Sequence, residues 1–304
     1  MKKPCVFAAI CIVCVLVAVA LLAVACLPMS DIPLSDPERG VDPERGFDPE
    51  RGVDATLRGG ISFTVASYNV WSGGNTLENE YAIAAQLDDC GVDIAGLQEV
   101  DTDDFDRRGG GFTTALTSGS LANKHFTPTE TYAMGDKYGI MTTTSRTIAD
   151  AQCAMLPYPY PHVSAFMEPR MVQRTLIDVD GVRIAFYNTH LDYTNVQKDG
   201  RLLRELQAEF IFELMQSDPS PYKVLTGDFN ISSFDDLAPF FDSDEYALFI
   251  NPDNALATFA GGSSFACIDN IVYTCKTLRL TNGRVVENDL SDHYMLTASF
   301  ETLA

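Results

Sequence analysis

The chain has 304 residues, 46% of them hydrophobic, and carries 42 acidic against 21 basic side chains for a net charge of −21. That length suits one or two ordinary domains with real cores. So much negative charge repels polyanions and anionic bilayers at long range, which argues against a non-specific nucleic-acid binder.

In chain order, Lys2 and Lys3 precede an uncharged, apolar run over residues 5–27. A positive start and such a run read as a signal peptide, and about 20 residues are enough to span a bilayer. The run ends Leu22-Ala23-Val24-Ala25-Cys26, which resembles a bacterial lipoprotein cleavage box with Cys26 as the lipidated residue. The alternative is an uncleaved signal anchor. Both readings tether the chain to a membrane and put the rest outside the cytoplasm; cleavage without lipidation would secrete it.

Next, Asp36-Pro37-Glu38-Arg39-Gly40-Val41 recurs at residues 42–47 and again at 48–53. Each unit holds two helix breakers and little to bury, so residues 28–57 are expected to form a disordered spacer, with a ligand-binding repeat as the lesser alternative. The folded domain is then 58–304.

Within it, residues 61–70 are apolar and β-branched and predict a strand. Leu77, Tyr81, Ala84, Ala85 and Leu87 have helical spacing over 77–90, and Gly91 stops the helix before a short buried strand at 92–97. Strands follow at 138–144 and 171–179, and Asp180-Gly181 turns the chain back as 182–189, a hairpin. A long amphipathic helix is predicted at 198–215, then strands at 223–226, 265–274, 278–284 and 293–300. Paired strands mixed with strand–helix–strand units indicate an α/β fold of two packed mixed sheets with helices outside. Outside the N-terminal run, Cys90, Cys153, Cys267 and Cys275 match no zinc spacing, and disulfides and free thiols both remain open.

The informative pattern lies at the strand ends. Asn69 closes the first strand, Glu99 follows the second, His190 ends the hairpin, and Asp228 and Asn230 follow the next strand. Asp269 interrupts an apolar run, and Ser291-Asp292-His293 precedes the last strand. One such residue means little, but six at strand ends or on buried strands favour a shared site. Two histidines with several carboxylates suit acid–base and metal chemistry better than binding alone.

In order, Asn69-Val70, Gln98-Glu99-Val100, Thr189-His190-Leu191, Gly227-Asp228-Phe229-Asn230, Ile268-Asp269 and Ser291-Asp292-His293 resemble the motifs of the endonuclease/exonuclease/phosphatase superfamily. That superfamily includes secreted deoxyribonucleases, neutral sphingomyelinases and inositol-polyphosphate phosphatases. The resemblance covers residues 62–300 and implies a four-layer α/β/β/α sandwich and a metal-dependent phosphoesterase. It implies that Glu99 and Asn69 hold a hard cation, Mg²⁺ with Mn²⁺ as the alternative, with Asp292 as a further ligand. It implies that Asp269 orients His293 as general base, Asp228 and Asn230 orient the nucleophile, and His190 stabilises the transition state. Arg170, in Glu168-Pro169-Arg170, matches the family's phosphate-clamping arginine. Arg174, four residues on and on the same strand face, is a second choice, and Tyr138 a third against a packing role. Arg204 and Gln207 are expected to tie the long helix to the sheet. Ile140, Asn270 and Met295 stand where the family often has other residues, which weakens placement in a subfamily and leaves the catalytic set intact.

For substrate, the charge disfavours duplex nucleic acid. Residues 155–162 form a Pro- and Tyr-rich loop that reads as a head-group contact or as variable surface. The sequence therefore supports a phosphodiesterase acting on lipid head groups or small phosphoesters. An extracellular endonuclease and a catalytically silent envelope binding protein are the alternatives. Oligomeric state is not legible.

Overall fold

The computed structural model describes residues 47–71, 77–101, 115–131, 137–158, 168–260 and 266–304. The apolar run, Cys26 and the first two repeats up to Gly46 lie outside these residues, as does half of the Pro-rich loop. No helix among the described residues is long and apolar enough to cross a membrane.

Two six-stranded mixed sheets form the body. The first contains β1 (Ser62–Asn69), β2 (Ile94–Asp101), β3 (Asn123–Thr131), β4 (Lys137–Thr144), β13 (Leu278–Val286) and β14 (Met295–Thr302), in the order β13-β14-β1-β2-β4-β3. The second contains β5 (Thr147–Met155), β6 (Met171–Val179), β7 (Val182–His190), β10 (Lys223–Asp228), β11 (Tyr246–Leu248) and β12 (Asp269–Thr274), in the order β11-β12-β10-β7-β6-β5. A small ladder joins β8 (Gln197–Lys198) to β9 (Arg201–Leu202). Helix α1 (Leu77–Asp89) covers the first sheet; α2 (Leu203–Ser217) and the single turn α3 (Ala238–Phe241) cover the second.

Three apolar layers separate four structural ones, which is the expected α/β/β/α sandwich. Ile83 and Leu87 of α1 pack on Ala66, Tyr68, Ala95 and Leu97. Phe63, Val65, Ile94, Leu296 and Phe300 meet Ile184, Phe186, Val224 and Ile271 between the sheets. Ala208, Ile211 and Met215 of α2 pack on Val172, Leu176 and Leu225. Because strand side chains alternate faces, each central strand supplies both a helix-facing and a sheet-facing row.

The sheet-facing rows change character along the strands. On β1 the row runs Phe63, Val65, Ser67, Asn69; on β2 it runs Ile94, Gly96, Gln98. On β7 it runs Ile184, Phe186, Asn188, His190, and on β10 Val224, Thr226, Asp228. β1 is parallel to β2 and β7 to β10, so all four rows turn polar at the same edge of the sandwich. Antiparallel β12 joins them there with Asp269, which pairs with Asp228.

The sheets come close beneath that edge. A Cβ on Gly96 would lie 2.1 Å from Thr226 Oγ1 and 2.8 Å from Asn188 Oδ1. Asn188 accepts from Gln98 Nε2 at 2.7 Å and donates to the carbonyls of Leu97 and Met141 at 3.0 and 3.1 Å. This buried polar layer ties the two sheets together under the site through Asn188 and the Gln98 amide nitrogen.

Several expectations need correction. The helix predicted from 198 begins only at Leu203, because Asp199 and Gly200 (φ 56° and 82°) form the β8–β9 turn. Strands β3, β5 and β11 escaped the sequence reading; β3 and β5 are sheet edges with mixed polarity and no clean period. The spacer reading fails for its last part: Phe47–Val53, the third repeat and the residue before it, lies hydrogen-bonded against β5 and β6. Cys90, Cys153, Cys267 and Cys275 are free thiols.

Candidate active site

Where the polar rows meet, Asp228 is the hub. Its Oδ2 accepts from Asn69 Nδ2 at 2.9 Å, across the gap between the sheets, and lies 3.5 Å from His190 Nε2 and 3.6 Å from His293 Nε2. Its Oδ1 accepts from the backbone N–H of Asn230 at 3.0 Å. That bond needs the left-handed turn at Asn230 (φ 49°), a conformation asparagine tolerates better than most residues.

Glu99 reaches the hub through a break in the ladder. The pairing of β2 with β4 slips between Leu97 and Val100, and Glu99 itself has φ 56°. A bulge of this kind re-aims one side chain at the cost of local strain, a device common beside active sites. Asn69 Nδ2 also donates to Glu99 at 3.0 Å, while its Oδ1 accepts from the N–H of Trp71. As placed, Asn69 bridges Glu99 and Asp228 as a donor.

The two histidines are held differently. His293 Nδ1 sits 2.9 Å from Asp269 Oδ2, and Phe259 packs on its ring with centroids 4.8 Å apart. Burial lowers its affinity for a proton, but the charges of Asp269 and Asp228 outweigh this and raise its pKa to about 10. His190 Nδ1 accepts from Arg170 Nη1 at 3.0 Å, which leaves its Nε2–H for Asp228. Burial, then the nearby Arg170 and His293 charges, hold His190 neutral with a pKa well below the usual range. Burial and the Asp269 charge push Asp228 up to about 7, and burial raises Glu99.

Asp292 joins at the rim, with its Oδ1 4.0 Å from His293 Nε2. Arg170 is buried, ion-paired to Glu168 at 3.2 Å, and among the described residues its Nε has no hydrogen-bond partner. Tyr138 lies near enough to strengthen the Arg170 charge electrostatically. Asn69, Glu99, Arg170, His190, Asp228, Asn230, Asp269, Asp292 and His293 thus converge.

Arg174 does not join them. Its Nε binds Asp218 Oδ2 at 2.8 Å and its Nη2 binds the carbonyl of Pro49 at 3.0 Å. Sharing a strand face was not enough, since four residues along a strand span about 13 Å. Arg204 and Gln207 are structural, but they tie the long helix to loops and not to the sheet itself: Arg204 Nε holds Asp236 at 3.1 Å, and Gln207 bonds the Asp192 N–H and the Pro157 carbonyl.

Three supporting residues were missed, Thr258, Asp192 and Tyr193, and Ser291, read only as part of the last motif, has a supporting role of its own. Thr258 Oγ1 accepts from the Ile268 and Asp269 N–H groups and fixes Asp269. Ser291 Oγ donates to the Asn69 carbonyl at 2.8 Å, tying the last motif to the first. Asp192 is buried near Arg170 with Oδ2 unpartnered among the described residues. Tyr193, half exposed, lies 5.9 Å from the Arg170 guanidinium. Only Asp192 left a signal, as a carboxylate two residues past His190.

A cation fits this donor set. Glu99, His190 and Asp228 place ligand atoms within 4.8 Å of one another, and so do Asp228, Asp269 and His293. Asp269 Oδ1 is buried without a partner among the described residues, and crowded carboxylates of raised pKa are short of positive charge.

The sequence profile described as the endonuclease/exonuclease/phosphatase family matches residues 66–293. The chain belongs to this family. Its members hydrolyse phosphoester bonds and generally use a divalent metal. Among solved structures, an endonuclease/exonuclease/phosphatase from Beutenbergia cavernae is 18% identical with a TM-score of 0.62, over 80% of this chain and 72% of that one. A mannosyl-6-phosphatase from Bacteroides thetaiotaomicron is 18% identical at TM-score 0.56, over 78% and 99%. The D. rerio TDP2, complexed with a single-strand DNA product, is 14% identical at TM-score 0.59, over 79% and 98%. These likenesses establish the shared fold. No curated protein matches the chain.

Proposed function

We propose that the protein is a Mg²⁺-dependent phosphodiesterase acting outside the cytoplasm on lipid head groups or small phosphoesters. The observation that carries this reading is the buried line Asp269–His293–Asp228 beside an arginine with an unused N–H. Mg²⁺, with Mn²⁺ as the alternative, would be held by Glu99 and Asn69 with Asp292 as a further ligand, and would neutralise charge on the phosphate oxygens.

The side chains divide the remaining work. Asp269 fixes His293 so that Nε2 faces the hub. Burial raises the affinity of Asp228 for a proton, and the Asp269 and Asp228 charges, against the effect of burial, raise that of His293, so the pair can pass a proton between water and the leaving oxygen, with His293 oriented by Asp269 as the base. Neutral His190 offers Nε2–H, Asn230 holds Asp228 in place, and Arg170 clamps a phosphate oxygen.

Substrate class follows from the rim. Glu168, Glu130 and Asp192 surround Arg170 and disfavour a polyanionic duplex. Half-exposed Trp71 and Tyr193 offer apolar faces to a head group. The Lys2-Lys3 start and the apolar run support export and membrane tethering, through Cys26 or an uncleaved helix. The second reading is a nuclease, favoured by the fold shared with the DNA-bound D. rerio TDP2.

The test is the purified full chain in mild detergent with Mg²⁺, offered sphingomyelin, an artificial phosphodiester and duplex DNA, with His293→Ala beside it. Chelator-sensitive hydrolysis of the lipid or the artificial diester is expected, falling roughly 10²–10⁴-fold in His293→Ala. Cleavage confined to DNA would replace this reading with the nuclease. No hydrolysis at all would overturn both.

A further inference from the structure

The third Asp-Pro-Glu-Arg-Gly repeat sits in a built seat. Gln152 of β5 binds the backbone of Asp48 twice, accepting its N–H at 2.8 Å and donating to its carbonyl at 3.0 Å. Arg51 donates to Asp150 Oδ2 at 3.0 Å and to the Ala151 carbonyl at 2.9 Å. Buried Arg174 donates to the carbonyls of Pro49 and Arg51, and Arg183 donates to that of Gly52. Within the repeat, Asp48 Oδ1 accepts from the Glu50 N–H, and Gly52 takes φ 74°, a left-handed turn that suits glycine.

The groups that make these contacts are backbone atoms and the side chains that recur in every copy: Asp, Arg and Gly. The residues that differ lie outside them. Phe47, before the third copy, packs on the apolar layer under α2, where the second copy has Val41 and the first Ser35.

We propose that this surface of β5, β6 and β7 is a recognition site for the Asp-Pro-Glu-Arg-Gly motif, and that the second copy, residues 42–47, takes the seat whenever the third leaves it. The third copy prevails because Phe47 buries more apolar surface than Val41. Each exchange moves the point of attachment by six residues. It therefore changes the chain length between the N-terminal run and the domain by up to about 20 Å. Spacing along the tether becomes stepwise and adjustable.

Hydrogen exchange on the full chain in detergent reads this directly. In the wild type, amides of residues 48–53 are expected to exchange at least about tenfold more slowly than those of 42–46. Arg51→Glu puts a carboxylate beside Asp150 and expels the third copy; slow exchange should then move to residues 42–47. Changing Arg39, Arg45 and Arg51 together to Glu should abolish it throughout, and adding Asp150→Arg to that triple variant should restore it. A synthetic Val-Asp-Pro-Glu-Arg-Gly-Val peptide should slow the exposed β5 amides of the triple variant. Loss of protection in Arg51→Glu without gain at 42–47 would overturn the exchange of copies. Wild-type residues 48–53 exchanging freely, or a peptide without effect, would overturn the site itself. Thermal melts of each variant confirm that the domain is folded.

Discussion

Two buried arginines, Arg170 and Arg174, stand four residues apart and end in opposite electrostatic situations. Arg174 is balanced: Asp218 takes its Nε, Tyr187 donates to the same carboxylate at 2.6 Å, and the Ser220 N–H binds the other oxygen. Burial alone would raise the Asp218 pKa, but Arg174, Tyr187 and Ser220 together hold it below its usual value. Arg170 faces the reverse. Around it Glu99 and Asp228 are pushed up, Asp269 Oδ1 and Asp192 Oδ2 lack partners among the described residues, and its own Nε is unused. One end spends its charges on holding the fold, and the other keeps them uncompensated for a ligand.

The largest test of this contrast is catalytic. Asp228→Asn keeps the shape of the hub but cannot accept a proton, and kcat on the artificial diester should fall roughly 10³-fold. The matching change at the balanced end, Asp218→Asn, should leave kcat per folded molecule unchanged. Instead it takes from Arg174 the nearer of its two countercharges, leaving Asp150 at 3.9 Å, and should cost about 3 kcal/mol in denaturant unfolding. Its pH dependence has a defined sign. With a folded pKa below 3.8, Asp218 contributes stability above that value and loses it as pH falls through the folded pKa. The gap between wild type and Asp218→Asn should therefore hold from neutral pH down to about 4 and close below it. A kcat loss in Asp218→Asn equal to that in Asp228→Asn would erase the distinction.

The next test weakens the platform that the site end rests on. Gly96→Ala drives a Cβ into Thr226 and Asn188, where both neighbours are themselves fixed by hydrogen bonds. Overpacking of this kind costs about 1–3 kcal/mol, and part should appear as lost activity because Gln98 and Asn188 seat the strands that carry Glu99 and His190. Equal stability of Gly96→Ala and wild type would show that the sheets separate freely there.

Much of this was legible in the sequence because two signals coincided. Apolar, β-branched runs located β1, β6 and β7 within a residue or two, and the polar residue ending each inward row marked the site. What escaped lacked such a signal. Edge strands β3 and β5 bury neither face fully, so no period survives. Thr258 acts through hydrogen bonds to backbone N–H groups that no sequence period marks, and the Ser291 bond to the Asn69 carbonyl reaches across the whole domain. The third repeat appeared structureless because its partners, Gln152, Arg174 and Arg183, lie about a hundred residues away. Arg174 was misplaced for the same reason: strand periodicity gives a face, but not which end of that face holds the partner.

The smallest predicted effect is the most diagnostic, because its sign is opposite to that at Asp218. With Mg²⁺ removed by chelator, Asp228→Asn should stabilise the protein. Asp228 has an unfolded pKa near 3.8 and a folded pKa of about 7, so its contribution is fully present below 3.8 and is lost as pH rises to 7. Asparagine suffers no such loss. The melting temperatures of variant and wild type should coincide at low pH, separate between about 4 and 7, and stay apart above, by roughly 2–4 °C for each kcal/mol gained. Adding Mg²⁺ should narrow or reverse the difference, since the cation favours the wild-type carboxylate. If Asp228→Asn were instead less stable than wild type at pH 8 in chelator, the hub would be as balanced as the Arg174 end. The case for a charge-hungry site would then fail.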